Sequence, residues 1–126
     1  MTNSLFNLSS KVAVVSGAAS GMGRAMSLAL AEAGADLVLV DINEEGTKLV
    51  ADEVEAFGQR ALVSKCDISN PKSIIEMFKD IDTSFGRIDF LGNVAGEAIR
   101  EKPEKIRLED IEYSWRNIVL GRFCCC

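Results

Sequence analysis

Three glycines crowd the segment Ser16-Gly17-Ala18-Ala19-Ser20-Gly21-Met22-Gly23, spaced G-x-x-x-G-x-G. They follow the apolar run 11–16 (KVAVVS) and open a stretch with helical spacing. A glycine at the end of a strand lets the chain leave sharply. A second lets backbone approach a phosphate with no Cβ in the way, and a third permits close helix–strand packing. A helix starting here presents free N–H groups and a partial positive charge to an anion. The chemistry expected of Gly17, Ser20, Gly21, Met22 and Gly23 is therefore the grip of a diphosphate. No Gly-Lys-Ser/Thr follows, so this is not a P-loop.

An acid stands in step with that turn. Asp41 closes a second apolar run, 35–40 (ADLVLV), eighteen residues beyond Gly23. A carboxylate at this place accepts hydrogen bonds from adenosine ribose hydroxyls and repels the 2′-phosphate of NADP. Ala18, Ala19 and Ile42 offer that phosphate no positive charge, and Arg24 is expected to face solvent. NAD is expected over NADP as cofactor. The alternative for Asp41 is a cap on the following helix.

Other chemistries are excluded by what is missing. The chain has no histidine, which removes His-based triads and His metal sites. Cys66 stands alone and Cys124, Cys125 and Cys126 are consecutive. No C-x-x-C spacing occurs, so no metal site is expected, and the cysteines read as small buried residues. With 126 residues, 48% hydrophobic, 26% charged and a net charge of −5, the chain reads as one folded domain over 1–126. Nucleic acid and anionic membranes are poor partners for that charge. No run approaches the ~18 apolar residues of a membrane span. Met1–Ser10 lacks the features of a signal peptide, so a cytoplasmic location is expected.

The elements that must position these residues alternate. Strands are expected at 11–16, 35–40, 60–65 and 88–92. Helices are expected at 22–33, at 43–57 behind an Asn43 cap, from Asn70-Pro71 onward, and from about Leu108. The inward faces read as Met22, Ala25, Met26, Ala29 and Ala33, then Val50, Val54 and Phe57. The third helix offers Ile74, Ile75, Phe78, Ile81 and Phe85. The last offers a stripe of Leu108, Ile111, Trp115, Ile118 and Val119. Strand–helix alternation with continuous apolar strands predicts an α/β fold, a Rossmann-type doubly wound parallel sheet of order 3-2-1-4. Ligands of such sheets bind where strands 1 and 4 part, at their carboxyl ends.

With the turn, the acid and the strands in place, the sequence resembles the short-chain dehydrogenase/reductase family. Ser16–Gly23 resembles its T-G-x-x-x-G-x-G turn, with serine for threonine. Asp67-Ile68 resembles the family's adenine-contacting aspartate; the alternative is that Asp67 caps a neighbouring turn. Asn93-Val94-Ala95-Gly96 resembles its N-N-A-G motif, with Val94 departing from the second asparagine. Beside the glycine turn, the small Ala95 and Gly96 leave room for a ribose. The family's N-L-x-G helix motif is matched by Asn117-Ile118-Val119-Leu120-Gly121, with one residue too many. Aligning on the asparagine selects Asn117 as a catalytic candidate; aligning on Gly121 selects Ile118.

The resemblance implies hydride transfer between NAD(H) and a small alcohol or carbonyl substrate, in a homo-oligomer. It also implies a serine and a Tyr-x-x-x-Lys pair. The chain has one tyrosine, Tyr113, with Asn117 four residues on, and its last lysine is Lys105. Tyr113 therefore reads as a helix-surface or packing residue. The expectation is a dinucleotide-binding part of such an enzyme, truncated after the helix that follows strand 4 and inactive alone. Two alternatives stay open: a non-catalytic NAD-binding or interaction module, and an S-adenosylmethionine-dependent methyltransferase-like domain.

Overall fold

The structure, a computed structural model, describes residues 4–96 and 101–126. Residues 1–3 of the polar N-terminal segment and residues 97–100 of the loop after the fourth strand lie outside the described residues. Four strands, β1 (Val12–Ser16), β2 (Asp36–Asp41), β3 (Ala61–Lys65) and β4 (Phe90–Asn93), form one sheet in the order β3-β2-β1-β4. All pairings are parallel, and Ser16 lies between Val40 and Asn93. This is the order expected from the sequence.

The sheet is covered on both faces because its strands are apolar on both. Ala13, Val15, Leu37 and Leu39 pack with Ala31 of α1 (Gly21–Glu32) and with Val50 and Val54 of α2 (Glu44–Ala56). Val12, Val14, Val38 and Val40 point the other way, onto Ile74, Met77 and Ile81 of α3 (Pro71–Ser84) and onto Cys125. Leu37 and Leu39 are fully buried, which stabilises the fold by about 1.5–3 kcal/mol each.

Two helices begin as their sequences dictate. The Asn43 side chain accepts from the Gly46 N–H and Glu44 and Glu45 occupy the first turn of α2. Asn70 accepts from the Lys72 N–H ahead of Pro71 in α3. Such caps contribute about 1 kcal/mol. The inward face of α1 differs from expectation. Gly23, Ser27 and Ala31 face the sheet, while Met22 is 77% exposed. Helix and sheet approach too closely there for large side chains, and Ser27 satisfies its hydroxyl on the Gly23 carbonyl at 2.7 Å. Met77 takes the buried place in α3 that Ile75 was expected to fill, and Phe57 ends α2 exposed.

The last helix departs most. It runs as α4 (Leu108–Ser114), a π-helical segment (Trp115–Gly121) and α5 (Arg122–Cys125). Its buried residues are Asn117, Gly121 and Cys125, whereas Leu108, Ile111, Trp115, Ile118 and Val119 are all exposed. A π-turn bonds i to i+5 and so holds one residue more than an α-turn. The widened turn takes up the additional residue between Asn117 and Gly121, and it sends Asn117 inward and Ile118 outward. Gly121 is required at the contact: a Cβ there would lie 2.3 Å from the Ile68 carbonyl oxygen.

Gly121→Ala is expected to lower stability by about 1–3 kcal/mol in urea unfolding; an unchanged midpoint would show that the helix shifts freely. Ile111, Trp115, Ile118 and Val119 of the exposed stripe, with Ile106, line an open cavity of about 350 Å³, and among the described residues no strand pairs the outer side of β4. The purified chain is therefore expected to self-associate and to bind an apolar dye. Light scattering that finds only monomer, with no dye bound, would contradict this.

Candidate functional site

The site begins where β1 and β4 part. The buried Ser16 hydroxyl accepts from the N–H groups of Val94 (3.2 Å) and Ala95 (3.1 Å) and donates to the Gly92 carbonyl (3.3 Å). It thereby ties the glycine turn to the turn after β4. Gly17 follows with φ +74°, and a Cβ on it would lie 2.9 Å from the backbone of Ala95. A Cβ on Gly23 would lie 1.9 Å from the Gly17 carbonyl oxygen. These two glycines serve packing. Gly21 is different: φ is +56° and its Cβ position faces open space. Ser20 precedes α1 in extended conformation and makes no side-chain cap, unlike Asn43 and Asn70. The first turn of α1 thus keeps N–H groups for an anion.

Beside this turn lies a cavity of about 270 Å³. Gly17 and Ser20 line it from the turn, Val40 and Asp41 from β2, Ile42 from just after it, and Cys66, Asp67 and Ile68 from the segment after β3. Ala95 and Gly96 line it from the end of β4, and Tyr113 and Asn117 from the last helix. Of the residues singled out by sequence, Gly17, Ser20, Asp41, Ile42, Asp67, Ile68, Ala95, Gly96 and Asn117 come together here. Gly21, Met22, Gly23 and Asn93 do not line it. Asn93 instead directs its Nδ2 to the Arg122 carbonyl and to Cys126 Sγ, both at 3.5 Å.

The two carboxylates are held by backbone. Asp41 Oδ2 accepts from the Ala19 N–H (3.1 Å) and Oδ1 from the Asn43 N–H (3.0 Å). Asp67 Oδ1 accepts from the N–H (2.9 Å) and hydroxyl (2.6 Å) of Ser69. Both therefore shape local turns, and both still face the cavity with lone pairs to spare. Three contributors were not read from the sequence in these roles. In the sequence Ser16 stands only as a substitute for threonine. Tyr113 has there the pattern of a surface or packing residue. Arg122, whose guanidinium donates twice to the Ala95 carbonyl (3.1 and 3.2 Å), carried no sequence signal at all.

These features fit the adenosine and diphosphate of a dinucleotide. There is an open glycine cradle, an uncapped helix start, a carboxylate for a sugar and a cavity with no lysine or arginine among the described residues that line it. Asn117 Oδ1 is buried with no hydrogen-bond partner among the described residues. Among those residues there is no group of three or more side chains that could hold a metal, and no helix long and apolar enough to cross a membrane.

Comparison with known proteins agrees with this fold. The family model for short chain dehydrogenase matches residues 11–126. The chain is 42% identical over 101 residues to an NAD-dependent glycerol dehydrogenase of Listeria innocua, covering 80% of this chain and 39% of that one. A short-chain type dehydrogenase/reductase from Mycobacterium marinum superposes with a TM-score of 0.91 at 31% identity, over 96% of this chain and 49% of that one. L-Sorbose reductase from Gluconobacter frateurii, solved with NADPH and L-sorbose, gives 0.91 at 29% identity, over 95% and 46%. The chain thus spans about half the length of the proteins it matches or less. Cofactors named among them include both NAD and NADPH, so likeness alone does not choose between the two.

Burial sets the reactivity of the thiols. Desolvation pushes Cys66 up despite a hydrogen bond from the Ser73 hydroxyl, and pushes Cys125 to about 11. Both stay neutral and covered at neutral pH, while Cys124 and Cys126 are exposed. Iodoacetamide at pH 7.5 (about one unit below a free thiol's pKa) should label Cys124 and Cys126 first and Cys66 and Cys125 only on unfolding. Equal rates by peptide mass mapping would show that the last helix opens freely.

Proposed function

This chain belongs to the short chain dehydrogenase family, and we propose that it forms the dinucleotide-binding half of an oxidoreductase that works with NAD(H) on a small alcohol or carbonyl compound. One observation carries the reading: the glycine turn, through Gly17 and Ser20, and the Asp41 carboxylate line the same crevice at the carboxyl ends of the strands. In this reading the uncapped first turn of α1 holds the diphosphate through its N–H groups. Asp41, kept in place by the amides of Ala19 and Asn43, accepts from the ribose hydroxyls. Ala95 and Gly96 leave room for the sugar, with Ser16 and Arg122 holding their turn. The nicotinamide of such a cofactor supplies the two-electron chemistry at the substrate carbon.

NAD is favoured over NADP because a 2′-phosphate would meet the Asp41 carboxylate, with no lysine or arginine among the described residues that line the cavity. Glycerol and L-sorbose, named for two of the similar proteins, support a small hydroxylated substrate, while others are named for hydroxysteroids and a succinyl-CoA. We assign this chain binding and orientation rather than turnover. A tyrosine paired with a lysine four residues on, which the resemblance implies for the proton transfer, is not in its sequence, where Tyr113 is followed by Asn117. The exposed stripe around Trp115 supports association with further chain, of its own kind or beyond these residues.

Calorimetry on the purified chain should find NAD binding, weaker NADP binding and no binding of S-adenosylmethionine. Asp41→Ala should weaken NAD about tenfold, as expected for loss of hydrogen bonds to a charged acceptor, and narrow the gap to NADP. Equal NAD affinities in wild type and variant would remove Asp41 from the site. Preference for S-adenosylmethionine would overturn the assignment.

A further inference from the structure

We propose that the π-helical segment reads the base of the bound dinucleotide: the Asn117 carboxamide hydrogen-bonds the edge of a 6-aminopurine beside the Asp67 carboxylate. The inference rests on the cofactor reading above and adds to it a residue from outside the strands and the glycine turn. Asn117 is only 8% exposed, yet it lines the cavity together with Asp67 and Ile68. Its Oδ1 is buried without a partner among the described residues. Buried polar side-chain atoms left unpaired are uncommon, because desolvation without a hydrogen bond costs free energy. A ligand that supplies the missing partner recovers that cost.

The chemistry of the ligand follows from the groups present. A carboxamide offers one acceptor and one donor side by side, and rotation about its broad terminal torsion can present either to the cavity. On its N7 edge adenine presents the complementary pair, an exocyclic N6–H donor next to the N7 acceptor, which is why asparagine pairs with it bidentately elsewhere; hypoxanthine presents two acceptors there, O6 and N7, which one carboxamide cannot pair in either rotamer. Asp67 can only accept. Its Oδ1 is taken by Ser69, and its Oδ2 has no hydrogen bond among the described residues. An amino group has two hydrogens to give; an oxo group would face the carboxylate with a second acceptor. The apolar Ile42 and Ile68 and the ring of Tyr113, one turn before Asn117, suit the flat faces of a base.

The fold explains why Asn117 is there. The π-turn carries one residue more than an α-turn, and Gly121 lets the segment sit directly on the Ile68 carbonyl. The same contact that seats the helix therefore carries the carboxamide to the end of β3, where Asp67 and Ile68 lie.

The test compares NAD with nicotinamide hypoxanthine dinucleotide, in which the 6-amino group is replaced by oxygen, by calorimetry. Wild type should prefer NAD about tenfold. Asn117→Leu should weaken NAD by about that factor and leave the hypoxanthine dinucleotide nearly unchanged, so the preference narrows. Asp41→Ala should weaken both alike. If the Leu variant fails to fold by circular dichroism, Asn117→Ser carries the same expectation. An unchanged preference in a folded Asn117 variant, with NAD still bound and still sensitive to Asp41→Ala, overturns this proposal alone. No binding of either dinucleotide by wild type overturns it together with the cofactor reading.

Discussion

The structure depends on how closely the ends of β1 and β4 approach. Ser16 and Gly17 form that contact. The serine hydroxyl accepts two backbone N–H groups from the turn after β4, and the glycine leaves Ala95 almost no room to spare. Parallel strands whose connections leave in opposite directions open a crevice at their carboxyl ends. Here the crevice has a defined floor because a small hydroxyl and a missing Cβ hold its two sides in register. A side chain at position 17 would press on the backbone of Ala95 and Val94, and through it on Gly96 and the Arg122 guanidinium packed against it. Local strain would then spread to the cavity wall.

A second close contact, Gly121 on Ile68, brings the last helix over the same crevice from the β3 side. Its consequence is unequal for the two faces of that helix. Asn117, Gly121 and Cys125 turn inward, so the most apolar residues, Trp115 among them at 56% exposed, turn outward. A helix of this composition would ordinarily bury its large side chains. The inward face is instead occupied by residues small or polar enough to sit beside a site. The apolar face is left for whatever covers it.

Local signals explain which parts of this were legible in the sequence. Apolar strands, the Asn43 and Asn70 caps and the glycines are decided by residues within a few positions of one another, and each was read with its element type. The sheet order followed from strand–helix alternation. The inward face of α1 is not legible from its large apolar residues, because a helix pressed against a sheet through Gly23 and Ser27 has room only for small ones. The last helix departs from its stripe because α-helical spacing assumes an α-helix throughout. One surplus residue before Gly121 was the trace of the π-turn. The Arg122 clamp on Ala95 and the hydroxyl bridge of Ser16 join residues 27 and 79 positions apart, and no local pattern announces them.

Asp41 shows why two readings of one residue need not compete. As a structural residue it accepts from the amides of Ala19 and Asn43, one on each carboxylate oxygen. Those bonds join the glycine turn to Asn43, the residue that caps α2; Asp41 itself is not the cap. A carboxylate has about four acceptor sites, so each oxygen retains capacity for a hydroxyl. The backbone bonds fix the direction in which that capacity points and remove the side-chain freedom that binding would otherwise have to quench. The structural role is thus compatible with the binding role proposed for Asp41. A carboxylate free of both amides would carry the same charge but would have to be ordered by the ligand itself.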